Sequence, residues 1–328
     1  MSAEHHLLNL DSIATMGKFP KFCVDTYLWG DRFFNGYDTT YVAGSGYKFN
    51  VKLTSDNWTE GYRFNLPDKM RLYMRATPSS SIGIYLTYLA VSVGYDVNIS
   101  KLTGSLERAR KRLRFGFNCS LLSVELYHIN NNVGAHIKEY EHDGNLMYCN
   151  IPVKGIDNST FGLDIYYFFN HKRYSEAAAF NFSRLQKKSQ GSFYAGFSFY
   201  HQNLNFDFQT YKSLTIENIP NLSYHADTKN FGLRLGYGYN WCFAPHWLLA
   251  VSESPVIGLR KGYVNSDISK YSLSLYNHLK LSIVWNSGRW FSGLIFKLDN
   301  SIISDNHTVY SSGLGSLEAV IGMRFNLW

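Results

Sequence analysis

The sequence predicts an all-β fold, an antiparallel transmembrane barrel of the outer-membrane type with about 12 strands, ten and fourteen being the alternatives. Three observations carry that prediction. Aromatic and charged residues each make up 17% of the 328 positions, with 25 Tyr and 23 Phe but only 7 Pro, a composition that suits strands. Long segments alternate between apolar and polar residues, while no run of about 18 apolar residues exists to carry a helix across a bilayer. Short connections alternate with long polar ones, as expected of periplasmic turns and outer loops.

Taken in order, the strands are drawn at 47–54, 69–76, 82–97, 112–128, 133–141, 159–170, 191–208, 223–242, 247–260, 271–286, 289–301 and 314–325. The first two are short for a span. Those at 82–97, 112–128 and 191–208 switch phase midway, as at Ser120, Leu121 and Leu122, which suggests bulges. The clearest alternation sets Phe231, Leu233, Leu235, Tyr237, Tyr239 and Trp241 against Gly232, Arg234, Gly236, Gly238 and Asn240. A second sets Tyr271, Leu273, Leu275, Leu279, Leu281, Ile283 and Trp285 against Ser272, Ser274, His278, Lys280 and Ser282. Both exceed ordinary soluble strands and cover the roughly 9 to 11 tilted residues that a bilayer requires. The last strand, with Leu317, Ala319, Ile321, Met323 and Phe325 in one phase, resembles a terminal assembly signal, although Asn326, Leu327 and Trp328 follow it.

Tight turns are expected at Thr77 to Ser80, Asn130 to Asn132, Phe243 to His246 and Asn286 to Gly288. The connection from Asn170 to Gln190 falls on the same, periplasmic side and is far longer. It is expected to be an irregular periplasmic or lumenal insertion, a plug or docking element carried by His171, Lys172, Arg173, Tyr174, Phe180, Arg184, Lys187 and Lys188, with a tolerated insertion as the alternative. Residues 1–46 are assigned to an N-terminal periplasmic or lumenal segment and 47–328 to a single barrel domain.

The expected location is the outer membrane of a Gram-negative cell. The start, Met1 to His6, shows neither a basic region nor an apolar stretch of a secretory signal, which implies a mature or engineered beginning or else a cytoplasmic protein. Cys23, Cys119, Cys149 and Cys242 show no metal-ligand spacing, so neither metal nor cofactor is expected. Cys119 shares a phase with Phe115, Phe117 and Leu121 and is expected to face lipid.

Asp38 to Val42, Tyr166 to Ser175, Ala177 with Ala178, Gln186 to Ser189, Gly191 with Ser192, Tyr237 to Trp241, and Trp247 with Leu248 form a set of stretches with a common likeness. Together they resemble an uncharacterised family of outer-membrane barrels common in Bacteroides-type bacteria, domain-of-unknown-function family 4421. This likeness covers the chain beyond roughly the first thirty residues, and its densest block coincides with the irregular connection. The resemblance implies an outer-membrane barrel and brings no catalytic residues. The family looks to end near a motif like Gly322 to Phe325, so the tail departs from it.

A lumenal charge network is expected from Arg71, Arg75, Glu125, Asp164, Arg234, His278, Lys280, Lys297, Glu318 and Arg324. In so narrow a barrel these charges should pair and fill the bore; a narrow anion-preferring channel lined by the positive surplus is the alternative. The net charge of +7 is concentrated partly at Arg108, Arg110, Lys111, Arg112 and Arg114, a candidate contact with lipopolysaccharide phosphates or else a solvated loop. The expected partners are therefore outer-membrane lipid and lipopolysaccharide, together with a periplasmic or outer-membrane protein, and not nucleic acid. A lipid-hydrolysing barrel would need Ser beside His201, His225 or His278, and the sequence shows no such pattern. The leading expectation is a structural or partner-docking barrel.

Overall fold

The computed structural model describes residues 17–66, 69–89, 91–99, 111–207, 223–264, 267–304 and 309–326. A helix α1 (Lys18–Asn35) leads into a short strand β1 (Val42–Gly44). There follow β2 (Phe49–Leu66), β3 (Met70–Ala76), β4 (Ser79–Tyr88), β5 (Val91–Asn98), β6 (Lys111–Asn118), β7 (Leu122–His142) and β8 (Asn145–Phe168). After a π turn (Ala177–Asn181) come β9 (Arg184–Gln186), β10 (Gln190–Asp207), β11 (Ser223–Ala244), β12 (Trp247–Val264), β13 (Asp267–Asn286), β14 (Trp290–Ser304) and β15 (Val309–Phe325).

Neighbouring strands pair antiparallel throughout, and β15 pairs with β2 from Phe325 opposite Phe49 to Val309 opposite Asn65, so the sheet closes on itself. Closure removes the unpaired edge that hydrocarbon could not satisfy. Thirteen strand segments make the ring, but β3 and β4 share one lane: β3 pairs with residues 61–66 of β2 and β4 with residues 49–58. Leaving out β3 gives twelve strands at the end that holds the chain's tight turns; leaving out β4, β5 and β6 gives ten at the other end, where β3 pairs directly with β7. The lane breaks at Thr77 and Pro78, where proline cannot donate to a ladder.

The inside-out pattern is unambiguous on β11, where Leu233 is 71% exposed and Arg234 4%. A soluble sandwich would reverse those values. Along the outer wall Tyr88, Phe169, Trp241, Phe243, Trp247 and Trp290 form an exposed aromatic belt near the tight-turn end, as at a membrane interface.

From residue 159 onward the strands run close to where the sequence puts them. Before it, the expected strand 47–54 continues to Leu66 in β2, β8 begins already at Asn145, and the expected turn at Thr77 to Ser80 is no reversal, since β3 and β4 both run antiparallel to β2 along one lane. Three further readings also need correction. The expected strand 82–97 is the hairpin β4–β5, whose turn is made by Leu89 at φ 52. The expected strand 112–128 is β6 and the start of β7, joined through Cys119 to Leu121. In both cases the apolar face resumes on the same side after the turn, so the turn reads as a change of phase. Cys119 is accordingly buried in that turn, 5% exposed, and does not face lipid. The expected turn at Asn130 to Asn132 lies inside β7, where that strand leaves β6 at Asn130 and takes up β3 at Ala135. Its polar residues mark a change of neighbour and not a reversal of the chain.

Candidate functional site

The lumen is built in three layers. At the tight-turn end, the segment between β8 and β10 folds into the bore. The small side chains of Ala178 and Ala179 and the ring of Phe182 pack against Leu248, Ala250, Val284, Phe291, Ile295 and Val320 on the inner wall. Phe182 stacks on Phe291 with ring centroids 5.1 Å apart, and Gly293 leaves room for it, since a Cβ there would sit 3.0 Å from the ring. The chain turns at Phe182 through a left-handed conformation, φ 63, and its N–H returns to the Ala177 carbonyl.

The wall also holds the segment by its backbone. Ser282 Oγ donates to the Ala179 carbonyl at 3.0 Å, Asn240 Nδ2 to that of Ser175 at 2.9 Å, and Arg324 Nε to that of Phe182 at 3.0 Å. Lys280 Nζ lies 2.9 Å from Glu176 Oε1. A buried segment without its own ladder must have its carbonyls met in this way.

The middle layer is ionic. Arg112 bridges Asp56 at 3.0 Å and Asp96 at 2.9 Å, and Tyr85 also donates to Asp96. Arg234 meets Asp164 at 3.1 Å, Lys297 meets Glu318 at 2.8 Å, and His278 meets Asp299 at 2.7 Å; Arg114 lies 3.6 Å from Glu125. These pairs surround a cavity of about 260 Å³. Lys52 also lines it, with its ammonium 4.8 Å from the Tyr85 ring and 5.8 Å from that of Phe182.

Above the cavity an apolar collar fills the ten-strand end. It joins Tyr62 and Phe64 of β2 to Met74 of β3, Ile137 of β7, Leu204 of β10, Ala226 of β11 and Tyr310 of β15. Since β2 and β11 stand five lanes apart in a ring of ten, opposite walls meet through this cluster.

Eight of the ten expected lumenal charges line these layers. Arg71 and Arg75 do not: Arg71 faces outwards beside Glu141 at 3.3 Å, and Arg75 Nε donates to Thr59 Oγ1 at 3.4 Å. The correction has a physical cause. Leu72 and Met74 belong to the collar, where the barrel has an apolar interior, so the phase that would mean lipid-facing in the membrane means inward here. Arg112 and Arg114 turn into the lumen because Leu113 and Phe115 take the outer face, so they leave the candidate lipopolysaccharide set. Arg108 and Arg110 lie outside the described residues, as does the side chain of Lys111.

The expected plug or docking residues divide between two places. Tyr174 is buried and Phe180 lines the cavity, whereas Lys172, Arg173, Lys187 and Lys188 are exposed at the mouth. There β1 pairs with β9, Arg173 and Lys188 sit 5.0 and 5.4 Å from the Tyr41 ring, and Arg184 reaches Asn35 Oδ1 at 2.9 Å. His171 Nδ1 lies 3.3 Å from the Phe168 carbonyl oxygen. The sequence reading missed Lys52, Asp56, Asp96, Glu176 and Asp299, although all but Glu176 hold the inward phase of a strand. His201, a histidine that a lipid-hydrolysing site would need beside a serine, pairs with Asp227 at 2.6 Å.

Among the described residues no helix is long and apolar enough to cross a membrane, and no group of three or more His, Cys, Asp or Glu could hold a metal ion. No curated protein matches the sequence. Solved structures similar to this chain include the outer membrane protease OmpT from Escherichia coli (TM-score 0.37, 9% identity, 84% of this chain and 96% of that one). Others are the toluene transporters TbuX of Ralstonia pickettii (TM-score 0.32, 8% identity, 86% and 92%) and TodX of P. putida (TM-score 0.30, 8% identity, 91% and 98%). The family model described as Domain of unknown function (DUF4421) matches residues 36–325, and with its closed antiparallel sheet and lipid-facing aromatic wall this outer-membrane-type barrel belongs to that family.

Proposed function

We propose that the protein is a sealed scaffold of the cell outer membrane, whose plug presents a fixed basic face to a periplasmic partner. The observation that carries this reading is the double closure of the bore, by Ala178, Ala179 and Phe182 at one end and by the Phe64 and Tyr310 collar at the other. Both ends of the barrel chain, Phe49 and Phe325, lie at the plugged end, the arrangement of a periplasmic mouth in bacterial barrels. At that mouth Lys172, Arg173, Lys187 and Lys188 are exposed on a segment hydrogen-bonded to the wall, so they are presented rigidly and suit an acidic protein surface. Outer-membrane lipid and lipopolysaccharide surround the wall in this reading.

Planar-bilayer recording together with partner crosslinking in cells tests it. The wild type should show no conductance steps, and Lys172→Glu/Lys187→Glu/Lys188→Glu should abolish a periplasmic crosslink without changing the heat-modifiable folded form. Steady anion-selective steps from the wild type would overturn the reading in favour of a channel.

A further inference from the structure

A polar island interrupts the apolar outer wall across β12, β13 and β14. On β12 the outward positions run Trp247, Leu249, Val251, Glu253, Pro255, Ile257 and Leu259, so a carboxylate stands at the middle of a stripe that begins in the aromatic belt. Its sheet neighbours Tyr237 and Leu279 face outwards too, and the corresponding stripe on β11, from Phe231 to Trp241, is apolar or aromatic throughout. Asn277 Nδ2 donates to Glu253 Oε1 at 3.2 Å, and Asn277 is paired across the sheet with Pro255 on one side and Asn300 on the other. Asn277 Oδ1 is buried without a hydrogen-bond partner. Pro255 has no N–H to give its neighbour.

Hydrocarbon satisfies none of these groups, and an ionisable side chain facing acyl chains is costly. The pattern fits a surface covered by protein. Glu253 has a second carboxylate oxygen to be met, and the exposed Asn300 beside Asn277 has a carboxamide that can give and accept. We infer that this face is the contact surface of a dimer and that its occupant is a second copy of the chain, related by a two-fold axis along the membrane normal.

Copies inserted in the same direction hold the same residues at the same depth, which no unrelated membrane segment does by default. A two-fold contact is isologous, so a patch carrying both donors and acceptors completes itself. The Asn300 carboxamide of one copy supplies an N–H group to the other copy's Glu253, while Leu279, Leu281 and Ile257 provide the packing. This inference concerns the outer wall and stands apart from the scaffold reading of the lumen and mouth.

The test uses the full chain with Cys23, Cys119, Cys149 and Cys242 changed to Ser, reconstituted in phosphatidylethanolamine vesicles at a fixed low protein-to-lipid ratio. With Leu281→Cys beside the island, mild oxidation should give a disulfide-linked dimer, while Val93→Cys on the distant strand β5 should give none. Adding Glu253→Leu/Asn277→Leu should lower the Leu281→Cys crosslink at least tenfold in protein that keeps its heat-modifiable shift, whereas Glu253→Gln, which keeps an acceptor, should retain it. If the double variant loses that shift, Asn300→Leu at the edge of the island serves instead, with the same expected drop. Absence of the Leu281→Cys dimer, equal crosslinking at both positions, or an undiminished crosslink in the leucine variants would overturn the inference.

Discussion

Arg324 on the last strand donates Nε–H to the carbonyl of Phe182, 142 residues earlier in the chain, at 3.0 Å. The same guanidinium also reaches Asn286 Oδ1 at 2.8 Å and the Gly288 carbonyl, and the residue is 1% exposed. One planar fork thus ties the tip of the plug to the turn between β13 and β14. A clamp of this kind makes the plug part of the wall.

Arg324→Met should therefore release the plug before it unfolds the barrel. Each buried carbonyl left without a donor costs about 1–3 kcal/mol, so a loss of roughly 3 kcal/mol in urea unfolding is expected. Protease cleavage between Ala177 and Ser189 should appear well below the unfolding midpoint. Lys at this position should recover only part of the loss, because an ammonium cannot serve the separated acceptors as a fork does. Unchanged cleavage in the Met variant would contradict the clamp.

Glu176 gives a second handle on the same contact. Its carboxylate answers Lys280, whose ammonium also lies 4.9 Å from the Phe180 ring. Glu176→Gln leaves that half-buried cation without its charge partner and should cost about 1–3 kcal/mol, the range for a hydrogen-bonded group that loses its partner. Glu176→Leu/Lys280→Met should cost clearly less than the single change. A double variant as unstable as the single one would show that packing, and not charge, sets the effect.

Two seals in series make a definite electrical prediction. Phe64→Ala/Tyr310→Ala opens the collar alone and Arg324→Met loosens the plug alone, so each should stay silent in a planar bilayer. Combined, they should conduct, with steps that are sensitive to neutralisation of Lys52, which faces the cavity between them. Conductance from the collar variant by itself would mean that the plug does not seal.

Most of the membrane wall was legible, since lipid favours an apolar outward phase, and β11 displays it without a break from Phe231 to Trp241. What was not legible depends on contacts outside any one strand. Leu72 and Met74 look lipid-facing until β3 is known to stand in the ten-strand collar, which is why Arg71 and Arg75 were placed inside. Glu176 could not be placed in the lumen because the plug lacks strand periodicity. Helix α1 was not expected at all: it shows an exposed face of Phe22, Trp29 and Phe33, which composition alone does not separate from strand aromatics.

Gly94 offers a test of packing in the ionic layer. A Cβ at this position would lie 1.8 Å from Tyr85 Cδ1, so the tyrosine ring occupies the space that the missing side chain leaves. Tyr85 in turn donates to Asp96, which holds Arg112. Gly94→Ala should displace the ring and cost about 1–3 kcal/mol through overpacking. Tyr85→Ser in the same chain should restore part of it, since the smaller residue vacates the site. Additive losses in the pair would rule out this coupling.

Asp38 predicts how acid acts on the mouth. Its carboxylate accepts from the Thr40 hydroxyl at 2.7 Å and the Thr40 N–H at 2.9 Å, and its own N–H donates to the Lys172 carbonyl at 2.7 Å. The Thr40 hydroxyl first, then the Thr40 amide, hold this carboxyl below the usual carboxylate range. A group whose folded value is depressed stabilises the fold above its unfolded value, about 3.9, and that contribution fades as pH falls through the folded one. Hydrogen exchange at Val42 to Gly44, corrected for intrinsic rates, should therefore quicken on acidification below about pH 4, while amides inside β11 do not respond. Asp38→Asn keeps an acceptor for Thr40 but cannot titrate, so its exchange should be flat across the same range; an acid response equal to that of the wild type would place the sensitive group elsewhere.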